Sequence, residues 1–178
     1  MKFKNKLISG LLIKRYKRFF VDVKINNQIL TAHCPNTGSM QGLLKRGNKV
    51  WLSKSDNPKR KLRYTLEIIE DNKSKVGVNT HLTNKIVLNA LQEKLIKEFN
   101  DIIEIRPETK FGTNTRFDFL VLSKKEKIFI EVKNVTLSRK KSLAEFPDAV
   151  TVRGLKHIDE LIKASKKNYK IFLHFIIQ

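Results

Sequence analysis

Arg116-Phe117-Asp118-Phe119-Leu120-Val121-Leu122-Ser123-Lys124-Lys125-Glu126-Lys127-Ile128-Phe129-Ile130-Glu131-Val132-Lys133-Asn134-Val135 decides how the second half of the chain folds. Two runs rich in Phe, Val, Ile and Leu flank a charged break. The segment therefore reads as a β-hairpin with strands over 115–122 and 128–135. Side chains alternate faces along a strand, so Glu131 and Lys133 share one face and Ile130 and Val132 the other. The turn sets the register. With Lys124–Lys127 as a four-residue connection, or Lys125-Glu126 as a two-residue one, position 118 lies opposite 133 and position 120 opposite 131. Asp118, Glu131 and Lys133 then share a face; a three-residue loop would turn Asp118 to the other side.

Carboxylates in such apolar strands repel each other and resist desolvation unless a cation compensates. One reading of the cluster is a Mg²⁺ or Mn²⁺ site held by Asp118 and Glu131. Oxygen donors favour these ions over Zn²⁺, and Mg²⁺ keeps several waters, one of which can attack a phosphodiester. Lys133 would orient that water or neutralise charge at phosphorus. The other reading is an ordinary cross-strand Asp–Lys pair on a solvated face.

Upstream of the hairpin, Leu82, Ile86, Val87, Leu91, Leu95 and Phe99 recur at helical spacing after an N-cap at Asn79 or Thr80, and a strand follows over 102–108. Downstream come a polar segment, a helix from about Val152 to Ser165 with Thr151 as N-cap, and a strand over 170–177. The order α-β-β-β-α-β implies an α/β domain on a mixed sheet, spanning 79–178. Arg153, Lys156 and His157 fall at i, i+3 and i+4, a basic face that can hold phosphate or merely be solvated.

Residues 1–78 read differently. Short strands over 6–13, 18–25, 29–33, 50–53, 62–69 and 75–78, with a turn at Asn26-Asn27, suit a small OB-like β-barrel rather than a sandwich. The fold class is thus α+β in two domains. Of the 178 residues, 37 are Lys or Arg and 17 are Asp or Glu, a net charge of +20. The surplus concentrates in the barrel, with 18 basic against 5 acidic residues in 1–78 and 19 against 12 thereafter. Such a field favours polyanions, nucleic acid above all, although a Lys- and Asn-rich composition supplies part of it. The loop around Lys59, Arg60 and Lys61, near Trp51 and Tyr64, adds cations beside aromatic surface.

The single cysteine, Cys34, excludes a disulfide framework and a cysteine zinc cage, which fits a cytoplasmic protein. The apolar Leu7–Ile13 stretch is followed by Lys14-Arg15-Tyr16-Lys17-Arg18 where a signal peptide needs small residues. No apolar run approaches the ~18 residues of a membrane span. One Trp and no glycosidase-like carboxylate pair leave a sugar-processing enzyme without support.

Six ordered motifs resemble the sugar fermentation stimulation protein (SfsA) family: Arg15-Tyr16-Lys17-Arg18-Phe19, His33-Cys34-Pro35-Asn36-Thr37-Gly38-Ser39-Met40, Asn57-Pro58-Lys59-Arg60-Lys61, Asp118-Phe119, Glu131-Val132-Lys133-Asn134-Val135-Thr136-Leu137 and Phe146-Pro147-Asp148-Ala149-Val150-Thr151. The resemblance implies an N-terminal OB-type domain, a C-terminal domain similar to PD-(D/E)XK nucleases, and DNA binding. By position, Asp118, Glu131 and Lys133 match the nuclease-like core.

The chain departs from the family pattern at Val152, where members commonly carry Glu, and at Asn89, a place that is often acidic; Glu93 and Glu98 are possible substitutes. Members also continue past the position matching Gln178, so the apolar last strand suggests truncation or a homodimer contact.

The expectation is a DNA-binding protein, largely sequence-independent, with a candidate Mg²⁺-dependent nuclease centre at Asp118, Glu131 and Lys133. Arg15, Lys17, Arg18, Lys59, Arg60, Lys61, Arg116, Arg153, Lys156 and His157 are its expected backbone contacts. The alternative is a non-catalytic DNA-binding regulator linked to sugar metabolism.

Overall fold

Valines and leucines at every second position fill the centre of the N-terminal region. The computed structural model of the chain describes every residue except Met1, Asn100, Asn114 and Lys141, and separates into two compact units. The first runs to Leu82 and takes in Asn134–Ala149 and Ile177–Gln178; the second comprises Thr83–Lys133 and Val150–Ile176.

In the first unit, β1 (Ile8–Tyr16), β2 (Phe20–Ile25), β3 (Gln28–His33), β4 (Lys49–Lys54), β5 (Tyr64–Asp71) and β6 (Ser74–Gly77) lie in the order β3-β2-β1-β4-β5-β6. A parallel contact between β3 and β5 at His33↔Thr65 closes β1–β5 into the five-stranded OB barrel. Val21 and Val23, Val50 and Leu52, and Leu66 and Ile69 point inward and are fully buried with Leu12. Closure needs curvature, supplied on β1 by a bulge between Leu12 and Lys14. It also needs Gly10, where a Cβ would stand 2.5 Å from Val23 Cγ1 and 2.8 Å from the Lys24 carbonyl oxygen. The Asn26-Asn27 turn forms as expected, with Asn26 at φ 53°.

Buried Glu67 is the polar centre of this unit. Ser53 Oγ donates to one of its oxygens at 2.5 Å and Asn79 Nδ2 to the other at 2.7 Å.

The polar segment that precedes the Val152–Ser165 helix contains a hairpin, β10 (Leu137–Lys140) with β11 (Leu143–Glu145). Its strands are linked by charge as well as by ladder bonds: Glu145 accepts from the Arg139 guanidinium at 2.6 Å and from the Arg139 backbone N–H at 2.8 Å.

In the second unit, a sheet of order β12-β9-β8-β7 is formed by β7 (Ile102–Phe111), β8 (Thr115–Ser123), β9 (Lys127–Val135) and β12 (Lys170–Ile177), and it is mixed. Phe119, Val121, Ile128, Ile130 and Val132 pack with Val87 and Leu91 of α1 (Thr80–Gln92). Leu120 and Phe129 pack with Leu161 and Ala164 of α2 (Val152–Ser165), where Phe117 and Phe129 meet at 4.8 Å between centroids. Helices on both faces explain why β9 is an almost unbroken apolar run.

Helix α1 is shorter than its periodicity suggests. Leu95 N–H bonds to the Ala90 carbonyl and Lys94 N–H to that of Leu91, a Schellman closure with Lys94 at φ 55°. Leu95 is consequently exposed, and Phe99 reaches the core from a separate 3₁₀ turn, Lys97–Phe99. Asn79 caps α1 through His81 N–H, and Thr151 caps α2 through Gly154 N–H.

Candidate active site

The β8–β9 hairpin turns at Lys124-Lys125, with Ser123 N–H bonded to the Glu126 carbonyl, and its ladder runs from Leu122↔Lys127 to Phe119↔Ile130. This register is two residues away from the expected one. Ser123 draws the turn tight by accepting the N–H groups of Lys125 and Glu126 on its hydroxyl. A shift of two preserves the faces, so continuing the ladder sets Asp118 opposite Glu131 instead of Lys133.

Beyond Phe119 the Asp118 side chain takes up the backbone donor. Its Oδ2 accepts Val132 N–H at 2.7 Å, and its Oδ1 accepts Asn84 Nδ2, from α1, at 2.7 Å. Burial first, and the negative charge of Glu131 second, hold the Asp118 carboxyl above the usual aspartate value despite those two bonds.

The Glu131 side chain is 5% exposed. Its Oε1 accepts Lys133 Nζ at 2.6 Å and faces His157 Nδ1 at 2.5 Å. Its Oε2 is buried and has no hydrogen-bond partner among the described residues. A desolvated carboxylate oxygen without a donor is costly and suits a cation. Among the described residues no trio of His, Cys, Asp or Glu side chains gathers as a metal cage. A Mg²⁺ ion, which needs only one or two carboxylates and completes its shell with water and phosphate, fits this donor set.

Two contributors were not legible as members of this cluster. Asn84 sits one turn into α1, and nothing in the pattern marked it. His157 was expected on a phosphate-facing surface with Arg153 and Lys156; those two are exposed, whereas His157 is half-buried against Glu131. Glu93 and Glu98 are exposed, and the charges acting on Asp118 are those of Glu131 and Glu108.

The other expected contacts fall in separate places. Arg116 is exposed, 4.0 Å from Glu108. Lys17 and Arg18 stand exposed at the β1–β2 turn with φ of 47° and 61°. Lys59 and Lys61 are exposed on the β4–β5 loop, while Arg60, half-buried, lends its charge to lowering the His33 pKa, behind the larger effect of burial.

Arg15 is used internally. Its guanidinium donates to the carbonyls of Gly38 at 2.9 Å, Asn36 at 2.8 Å and Arg18 at 3.0 Å. The loop it holds, with buried Cys34, is tied again by Asp148, whose carboxylate accepts Ser39 Oγ and Met40 N–H at 3.0 Å each.

Two family models match the chain, the SfsA N-terminal OB domain over residues 13–78 and the sugar fermentation stimulation protein RE domain over residues 81–178. The chain belongs to the sugar fermentation stimulation protein family. A homolog of that name from Pelagibacter ubique is 60% identical over 178 residues, all of this chain and 77% of the relative. The Synechocystis homolog is 49% identical over 175 residues, 96% of this chain and 73% of its own. Among solved structures, that of Pyrococcus furiosus SfsA in complex with Ca²⁺ superposes with a TM-score of 0.88 at 28% identity, covering 98% of this chain and 74% of that one. The OB barrel is consistent with nucleic-acid binding. Among the described residues no helix of this family member is long and apolar enough to cross a membrane.

Proposed function

We propose that this SfsA-family protein binds DNA through backbone phosphates and carries a Mg²⁺- or Mn²⁺-dependent phosphodiesterase centre at Asp118, Glu131 and Lys133. The observation that carries the reading is Glu131: a buried carboxylate with one oxygen held by Lys133 and His157 and the other without a donor. Asp118 and Glu131 would hold the ion, which when bound supplies Lewis-acid polarisation of a phosphodiester. Lys133 places a positive charge where phosphoryl oxygens gain negative charge. Asn84 and the Val132 N–H fix the Asp118 carboxylate, and His157 fixes that of Glu131. The Pyrococcus relative was solved in complex with Ca²⁺, which supports a divalent cation here.

The test combines calorimetric titration with Mn²⁺ and cleavage of duplex, single-stranded DNA and RNA by wild type and Asp118→Ala/Lys133→Ala. Metal uptake and cleavage lost in the variant support the centre; equal cleavage by both removes it. Binding is measured separately across salt, and a flat response between 50 and 200 mM removes the backbone claim.

A second reading, a non-catalytic DNA-binding regulator, is favoured by the two hydrogen bonds that already occupy both oxygens of Asp118. It expects undiminished DNA binding in chelator and no cleavage. β12 forms an edge of its sheet, and pairing there with a second copy is checked by solution mass, a monomer excluding it.

A further inference from the structure

A cleft of about 490 Å³ lies at the far end of the hairpin from Glu131, between the β8–β9 turn and the α2–β12 connection. Lys124, Lys125, Lys127, Lys167 and Lys170 line it with a single carboxylate, Glu126. Glu126 pairs with Lys170 at 3.0 Å, and both are about half exposed. Lys167 Nζ stands over the Phe111 ring at 5.6 Å. Lys124, Lys125 and Lys127 have no carboxylate partner among the described residues. Tyr169 at the cleft packs on Phe129 at 4.7 Å between centroids. Five ammonium groups around one concavity with one balancing carboxylate make a local excess of positive charge that attracts an anion.

We propose that this cleft is a binding site for phosphate groups, and that the phosphates it takes are those of the nucleic-acid backbone running away from the Asp118–Glu131 centre. The proposal rests on the DNA-binding reading above and adds a second contact to it. Lys127, Phe129 and Glu131 alternate along β9 and so share a face. Lys127 lies four residues from Glu131, about 13 Å at ~3.3 Å per residue. Helix α2 gives a similar span, since Ser165 lies eight residues beyond His157, about 12 Å at ~1.5 Å per residue. Duplex DNA advances about 3.4 Å per base pair, so the cleft meets the backbone about four base pairs from the scissile phosphate.

The experiment measures affinity for a 20-base-pair duplex by fluorescence anisotropy between 50 and 200 mM salt. Wild type is compared with Lys124→Gln/Lys125→Gln/Lys167→Gln and with a control of equal charge change, Lys94→Gln/Lys97→Gln/Lys110→Gln. If the three cleft lysines each neutralise a phosphate, the slope of log K against log salt falls by about 2.7 in the first variant and much less in the control. An unchanged slope, or an equal fall in both variants, overturns the proposal while wild-type binding keeps the broader reading standing. Wild type that does not bind duplex at all removes that reading itself. Tripolyphosphate serves as the second probe: if it raises the melting temperature of wild type but not of the cleft variant, and fails to displace duplex, the phosphates are free ones and the backbone assignment is overturned.

Discussion

Lys133→Met is the most informative perturbation of the centre, because it tests whether the Glu131 charge is desolvated. The pair it breaks has an N···O distance of 2.6 Å, with the lysine side chain 18% and the glutamate side chain 5% exposed. Stranding a buried charge costs about 3–5 kcal/mol. His157 keeps one bond to the same oxygen, which places the expected loss toward the low end, about 2–3 kcal/mol. For a chain of this length that is a fall of roughly 4–12 °C in melting temperature. Urea unfolding of wild type, both single variants and Lys133→Met/Glu131→Leu closes a double-mutant cycle. The double variant should recover most of the loss, because an apolar pair strands no charge. Saturating Mn²⁺, at a hundred times its Kd, adds about 2.7 kcal/mol to wild type and at least as much to Lys133→Met, since the ion supplies the missing positive charge. A single-variant cost under about 1 kcal/mol, or a double variant whose loss is the sum of the two, refutes the reasoning.

Three further outcomes follow from the same structure. The raised Asp118 pKa means the folded state holds that proton more tightly than the unfolded chain does, so its stabilising effect is complete below the ordinary aspartate value and is lost as pH rises through the folded value. Asp118→Asn loses one of the two acceptors at a fixed cost, but its stability relative to wild type should rise from pH 4 to pH 8; urea midpoints across that range check it, and a difference that falls with pH contradicts it. Arg15→Met removes four side-chain bonds to carbonyl groups, the one to Ser39 long at 3.4 Å, and should cost about 2–4 kcal/mol in thermal or urea unfolding. Gly10→Ala forces a Cβ against Val23 and the Lys24 carbonyl, and a cost of about 3 kcal/mol is expected by the same measurement, a neutral outcome showing that the barrel can yield there.

Much of this was legible from residues alone because alternation and helical spacing report burial directly. The alternating Val21 and Val23 of β2 and Val50 and Leu52 of β4, the Thr151 cap and the limits of α2 needed nothing else. The hairpin at 137–145 was not legible, since an Arg–Glu clamp leaves no hydrophobic pattern. Nor was the end of α1, where Leu95 keeps the helical spacing but the chain has already turned at Lys94. Arg15 looked like a phosphate contact because charge is visible in sequence, whereas the carbonyl groups that occupy it are not.

Residue order by itself determined that Glu131 and Lys133 share a face, because alternation along a strand depends only on parity; that Asp118 joins them waited on the two-residue turn at Lys124-Lys125. Tertiary structure alone decided which of them stand opposite, that Asn84 and His157 arrive from two helices to hold the carboxylates, and that one Glu131 oxygen is left without a donor. Those facts depend on how separate elements pack, and packing joins residues whose distance along the chain carries no periodic signal.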